Sequence, residues 1–263
     1  MKYISLFSAL FCISQIAIGS WELQLNPKGR PFRMTFADPR EIRMALSFEG
    51  GSRINAAIGN YFSLLGIRSI ENPDLFFHIG LEGAGYFTMK QADQRFPLET
   101  ADGLIGFYTE TSVGQMQYQF RLTHISAHLA DGSSEGAIAY SRETAVLKVG
   151  YLLNSDTHLY SGVHFIVNST PIVPNWTFQL GATSFFPLRS HKVVPYGGFD
   201  LKQKGESSTH TSMNLQLGIA FGNPLDAYRS FKFFYSYYTG ADPRGQFFKS
   251  KITTHSAGIE MQI

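Results

Sequence analysis

A histidine, a serine two residues further on, and a glutamate on the following segment form the sharpest chemical constellation in this chain: His124, Ser126 and Glu143. Serine, histidine and a carboxylate are the parts of an acyl-transfer triad. In that role Ser126 is the nucleophile, His124 takes its proton, and Glu143 orients the imidazole and stabilises its charged form. Ser141 stands close by as a supporting polar group. No oxyanion donor is recognisable in the pattern. The competing reading is a polar cluster at a membrane interface. With 8 histidines in the chain, a chance His-x-Ser is expected, and a second occurs at His210-Thr211-Ser212 without a partner carboxylate.

The elements that must position these groups are strands. From Met116, the apolar residues Met116, Tyr118, Phe120 and Leu122 alternate with Gln117, Gln119, Arg121 and Thr123. Alternation one by one is the period of a β-strand with two different environments. By that period His124 and Ser126 continue the apolar row. In the next segment Ala145, Leu147, Val149 and Tyr151 form the apolar row, which puts Ser141 and Glu143 on it and Arg142, Thr144 and Lys148 opposite. A turn centred on Gly132-Ser133-Ser134 then sets Glu143 across from His124 and Ser141 across from Ser126, with Cβ atoms about 5 Å apart. A slip of one residue would contradict both face assignments.

The same alternation recurs along the chain, most clearly from Thr211 to Phe221, where Met213, Leu215, Leu217, Ile219 and Phe221 share a face. Strands are expected near 40–48, 54–66, 74–88, 103–110, 115–128, 136–151, 157–168, 175–186, 193–202, 211–221, 231–239 and 253–263. The fold class is therefore all-β: a transmembrane antiparallel up-and-down β-barrel of about 12 strands, lipid-facing outside and polar within. The count stays open between about 10 and 14. The 23 Phe and 13 Tyr suit aromatic girdles. On this reading the four polar groups at 124, 126, 141 and 143 sit on a lipid-facing wall, where they are costly and invite a functional explanation.

Residues 1–19 read as a secretory signal, with Lys2 as its positive start, an apolar run to Ile18 and small residues before Ser20. Cys12, the one cysteine, lies inside it, so a mature chain would hold no disulfide, thiolate site or cysteine nucleophile. Residues 20–39 read as a periplasmic lead-in rather than a packed element, and 40–263 as the barrel. Formal net charge is +2, and nothing argues for nucleic acid. The expected location is the bacterial outer membrane, reached through a cleaved signal peptide. The expected partners are outer-membrane lipid and, during biogenesis, the outer-membrane assembly machinery. The last segment resembles that machinery's recognition signal, with Ala257, Ile259, Met261 and Ile263 alternating and Ile263 in place of the usual terminal Phe.

Arg121, Arg142, Lys148 and Glu82 fall on the lumen face, as the lining of a selective pore or as a salt-bridged plug. Asp131 and Glu135 could bind calcium or stand as solvated loop charges. No other cofactor and no other metal is expected. Asp38-Pro39-Arg40-Glu41 is expected to hold the lead-in against the barrel base.

Three stretches carry a family resemblance: Ala37-Asp38-Pro39-Arg40-Glu41, His124-Ile125-Ser126-Ala127-His128-Leu129-Ala130-Asp131, and Tyr140-Ser141-Arg142-Glu143. They resemble the bacterial family catalogued as domain of unknown function 1207, with Ala127 and Ala130 where that family usually has serine and glycine. The resemblance implies an outer-membrane barrel and no established activity. The His124, Ser126 and Glu143 arrangement is locally similar to the sites of outer-membrane phospholipase A and lipid A deacylase. Both carry His-x-Ser near the outer rim of one strand and an orienting residue on the next, Asn in the phospholipase and Glu in the deacylase. The separation between Ser126 and Glu143 is longer here. The residues and these resemblances together leave four expectations: a barrel of an uncharacterised family with no activity fixed, a lipid acyl hydrolase, a small-solute channel suggested by the lumen charges, or a structural or surface-interaction role.

Overall fold

In the computed structural model, twelve strands hydrogen-bond edge to edge until the last meets the first. Residues 15–50, 52–130, 136–187, 193–205, 211–221 and 230–261 are described. The wall runs through β3 (Met44–Glu49), β4 (Arg53–Ser69), β5 (Phe76–Lys90), β6 (Leu98–Val113), β7 (Met116–Leu129) and β8 (Ser141–Leu152). It continues through β9 (Thr157–Thr170), β10 (Trp176–Phe185), β11 (Val193–Lys204), β12 (Thr211–Phe221), β13 (Phe231–Ala241) and β14 (Lys251–Met261). Each strand pairs antiparallel with its neighbour in sequence, and β14 closes on β3. A short hairpin, β1 (Gln15–Ile18) with β2 (Trp21–Leu25), extends the wall beside β4. Among the described residues no helix is long and apolar enough to cross a membrane.

Alternation decides which way the wall faces. Ile105, Leu147 and Leu217 are 66%, 61% and 64% exposed, while Arg121, Lys148 and Gln216 are buried. Apolar outside and polar inside is the pattern of a wall made for hydrocarbon. One end of the barrel carries tight links such as Gly114-Gln115, where Gly114 takes a left-handed φ of 57° that a side chain would resist. The other end carries the links 91–97, 130–140 and 242–250. We call these the turn end and the loop end.

Residues 20–39, expected as an unpacked lead-in, depart from that expectation. Trp21–Leu25 is a strand in the wall, and the chain then enters the lumen and packs there. Phe32, Phe36, Ala37, Asp38, Glu41 and Ile42 are all buried. The reason is charge pairing with distant strands. Lys202 Nζ lies 2.6 Å from Asp38 Oδ1, and Lys148 Nζ lies 3.6 Å from Asp38 and 3.8 Å from Glu41. The Tyr61 hydroxyl donates to Glu41 Oε1 at 2.7 Å, and Arg43 pairs with Glu260 at 3.2 Å. Arg30 pairs with Glu110. Buried charges are tolerable only when paired and hydrogen-bonded, and here the plug and the wall supply each other's partners. Phe36 packs with Phe185, Val194, Tyr196 and Ala220, adding an apolar grip.

The loop end is capped from within. Arg40 pairs with Asp102 and also donates to the Pro243 carbonyl, while Gly245 N–H donates to Asp102 at 3.0 Å. The link 242–250, with its short 3-10 turn Gly245–Phe247, therefore folds down onto the plug. Several strand boundaries differ from the alternation: β3 begins at Met44 instead of 40, because Arg40 and Glu41 belong to the plug, and two others differ by five residues. β6 begins at Leu98 instead of 103, because Glu99 is bound by Arg53 and Arg244 at the mouth. β8 begins at Ser141 instead of 136, because residues just before it are held by Gln246.

Candidate functional site

β7 and β8 pair with His124 opposite Glu143 and Ser126 opposite Ser141. This is the register that the two apolar rows require. His124 Nδ1 lies 2.8 Å from Glu143 Oε1, and the Ser141 hydroxyl donates to the same oxygen at 3.3 Å. The His124 and Glu143 side chains are 44% and 35% exposed, so the pair is reached from outside the barrel. Glu143 also stands across from Asn168 on β9, at a bulge that shifts the register between Glu143 and Thr144. Ser126 stands across from Gly103 on β6, which leaves the space beside its hydroxyl open.

The structure thus brings His124, Glu143 and Ser141 into contact and sets Ser126 on the same face two residues along. Among the described residues no hydrogen bond joins the Ser126 hydroxyl to His124. Residues i and i+2 of a strand are about 6.5 Å apart along the chain, so the imidazole must swing to reach the serine. Below the cluster the wall is apolar, with exposed Leu122, Ile105, Leu147 and Phe165. The cluster therefore marks the border between the apolar band and the loop end.

The inner side of this border is braced by a group the sequence pattern did not reveal. Gln246 donates to the carbonyls of Ala127 and Ile138 and accepts from Ile138 N–H at 3.0 Å. Its carboxamide bridges the two chains where the β7–β8 ladder ends. No local pattern could have signalled this, because Gln246 lies 119 residues from Ala127. A second outward histidine, His255, bonds the Tyr235 hydroxyl at 2.5 Å and lies beside Tyr237. Its aromatic company is that of an interfacial girdle.

The four predicted lumen groups are buried. Arg121 Nε is 2.8 Å from Glu82 Oε2, and Lys148 reaches the plug carboxylates and Thr35. Arg142 sits near the loop end, donating to the carbonyls of Thr170 and Pro171 at 3.0 and 3.1 Å. Its guanidinium stacks 4.4 Å from the Tyr140 ring. Asp131 and Glu135, the candidate calcium ligands, lie outside the described residues, as does the 132–134 turn. Among the described residues no three His, Cys, Asp or Glu side chains gather as a metal site.

A closed antiparallel wall, apolar outside and plugged with charge inside, defines an outer-membrane-type β-barrel. The chain belongs to the family described as protein of unknown function DUF1207, whose model matches residues 13–262. Comparison with curated proteins gives no match. Among solved structures, the chain is similar to the Salmonella typhi outer membrane phospholipase dimer with bound calcium, at 10% identity and TM-score 0.55 over 89% of this chain and 94% of that one. It is also similar to an active-site mutant of the Escherichia coli outer membrane phospholipase A, at 10% identity and TM-score 0.54 with the same coverage. At this identity the likeness is one of fold.

Proposed function

We propose that this chain is an integral protein of the bacterial outer membrane that hydrolyses acyl esters of membrane lipid at its loop-end rim. The observation that carries the reading is the Glu143 carboxylate on His124 Nδ1, at 2.8 Å, on a wall that faces lipid, with a serine on the same row. A carboxylate on Nδ1 fixes the tautomer that leaves Nε2 free to take a proton from Ser126. The long Ser126 contact is compatible with this role, since catalytic hydrogen bonds often tighten only with substrate bound. The border position suits the substrate: a lipid's ester groups lie where its acyl chains end. The similar phospholipase barrels add the same expectation by analogy of fold. The channel reading has less support, because Arg121, Glu82 and Lys148 are taken up in ion pairs that fill the lumen.

Fatty-acid release from phospholipid or lipid A by the purified protein in detergent tests the proposal. The wild type should release fatty acid. Ser126→Ala should abolish release while the barrel keeps its heat-modifiable migration on gels. Equal release by the variant, or none by the wild type on either lipid, rejects the reading.

A further inference from the structure

The barrel wall has a breach at its turn-end half. β3 covers one edge of β4 from Arg53 to Ile58, and β2 covers the same edge from Leu65 to Ser69. Between them, Gly59 to Ser63 has no strand partner on that side, Leu64 accepting from Asn26 N–H at 3.1 Å, while the opposite edge is paired with β5 except at the bulge at Leu64. The plug enters and leaves the lumen through this gap, since its two ends are the end of β2 and the start of β3. A cavity of about 710 Å³ lies there. That is within the usual range of small-molecule sites.

The cavity joins two environments. Tyr61, Ser63 and Gln117 line it from the lumen. Phe62, Leu64 and Met261, which line it too, are 55%, 50% and 45% exposed on the outer wall. Between these lie Phe32, Met34, Phe36 and Ile42 of the plug. The passage is thus greasy from the outer wall inward. Its charged lining is one-signed: Arg30, Arg33 and Arg43, with no Asp or Glu. Arg30 and Arg43 have carboxylate partners behind them, Glu110 and Glu260. Arg33 donates to the neutral Ser155 carbonyl at 2.7 Å; the Asp156 carboxylate acts on it from a distance, but among the described residues none lies within ion-pair reach.

We propose that this breach is a lateral binding site for a single acyl chain bearing an anionic head, taken from the membrane side. The chain lies against Phe32, Met34 and Phe36, and the head reaches Arg33. A fatty-acid carboxylate and a lysophospholipid phosphate share the required chemistry. The site is independent of the rim cluster, which lies at the other end of the wall.

The test uses the full chain in lipid nanodiscs and a diazirine-bearing palmitate as photoprobe. Cross-links should map to residues 25–44 and 59–64. They should be competed by palmitate or by palmitoyl lysophosphatidylglycerol, and the stronger competitor tells which headgroup is taken. Hexadecanol, the same chain without charge, should compete about tenfold less well, as should either anion against Arg33→Gln. Met34→Trp, which fills the cavity, should remove the cross-links. Cross-links confined to outer rows such as Leu122, Leu147 and Leu217, or equal competition by hexadecanol, would overturn the proposal. Should either variant fail to fold, the wild-type map and the alcohol comparison decide alone.

Discussion

His124 and Glu143 face each other across β7 and β8 with 2.8 Å between Nδ1 and Oε1, on the outside of the barrel at the border of its apolar band. The pair is accessible, so it adds little to stability, as exposed ion pairs do. Its value should appear in chemistry. Glu143→Gln keeps the shape and removes the charge that holds the imidazolium. Hydrolysis by Glu143→Gln, and by His124→Ala, should fall roughly 10²- to 10⁴-fold. The gel-shift unfolding temperature should stay within a few degrees of wild type. A normal rate in Glu143→Gln would reduce the pair to an interfacial contact.

Gln246 makes a prediction that needs no assay of turnover. Its carboxamide satisfies Ile138 N–H and two carbonyls at the end of the β7–β8 ladder. Gln246→Ala leaves the buried Ala127 carbonyl, and the half-buried Ile138 groups, without this partner, at a cost of about 1–3 kcal/mol. The loosening should be local. Backbone amides from His124 to Leu129 should exchange faster with deuterium, while those of β12 should be unchanged. Uniform exchange across the barrel would show that Gln246 braces nothing in particular.

The wall was legible because each of its strands has two faces of opposite polarity. Thr211–Phe221 is a strand to the residue, and His124 and Glu143 share a face as the alternation of their neighbours requires. The plug was legible only from the wall side, where Arg121, Lys148 and Glu82 already suggested a salt-bridged filling. Asp38-Pro39-Arg40-Glu41 was expected to hold the lead-in against the barrel base, but with no period to show a buried face, nothing in it told that it lies inside the lumen and reaches the loop end. Its charges are buried because Lys148, Lys202 and Asp102, far along the chain, point to the same place in the lumen. Pairing at such separations leaves no local trace. The candidate site divides the same way: the cross-strand pair could be read from the row, but the brace by Gln246 could not.

Arg40 ties the plug to the cap. It pairs with Asp102, bonds the Pro243 carbonyl, and lies 4.6 Å over the Tyr86 ring. Arg40→Ala leaves Asp102 buried beside Gly245 N–H alone. Breaking one side of a buried pair costs about 3–5 kcal/mol. The 242–250 link should become open to protease, and the unfolding temperature should drop. A variant as resistant as wild type would mean that Arg244, through Asp242 and Glu99, holds the link by itself.

The plug carboxylates set the acid limit of the structure. Burial by itself would raise Glu41, but Lys148, Arg121 and Arg30 outweigh it and hold the carboxyl at about 2, against an ordinary 4.5. Asp38 is likewise held well below its ordinary value: burial pushes it up, and Lys202 and Lys148 pull it further down. Both groups are depressed in the folded state. For Glu41 the stabilisation is therefore complete above about pH 4.5 and is lost as the pH falls toward about 2; that of Asp38 is likewise lost on acidification. For Glu41 the difference amounts to roughly 3 kcal/mol at neutral pH. The unfolding temperature should be flat from neutral pH down to the ordinary carboxylate range and fall below it. Glu41→Gln should start lower, because Lys148 loses a partner, and should decline less steeply in acid. A wild-type barrel equally stable throughout that acid window would show that the plug is held by its apolar contacts and not by its charges.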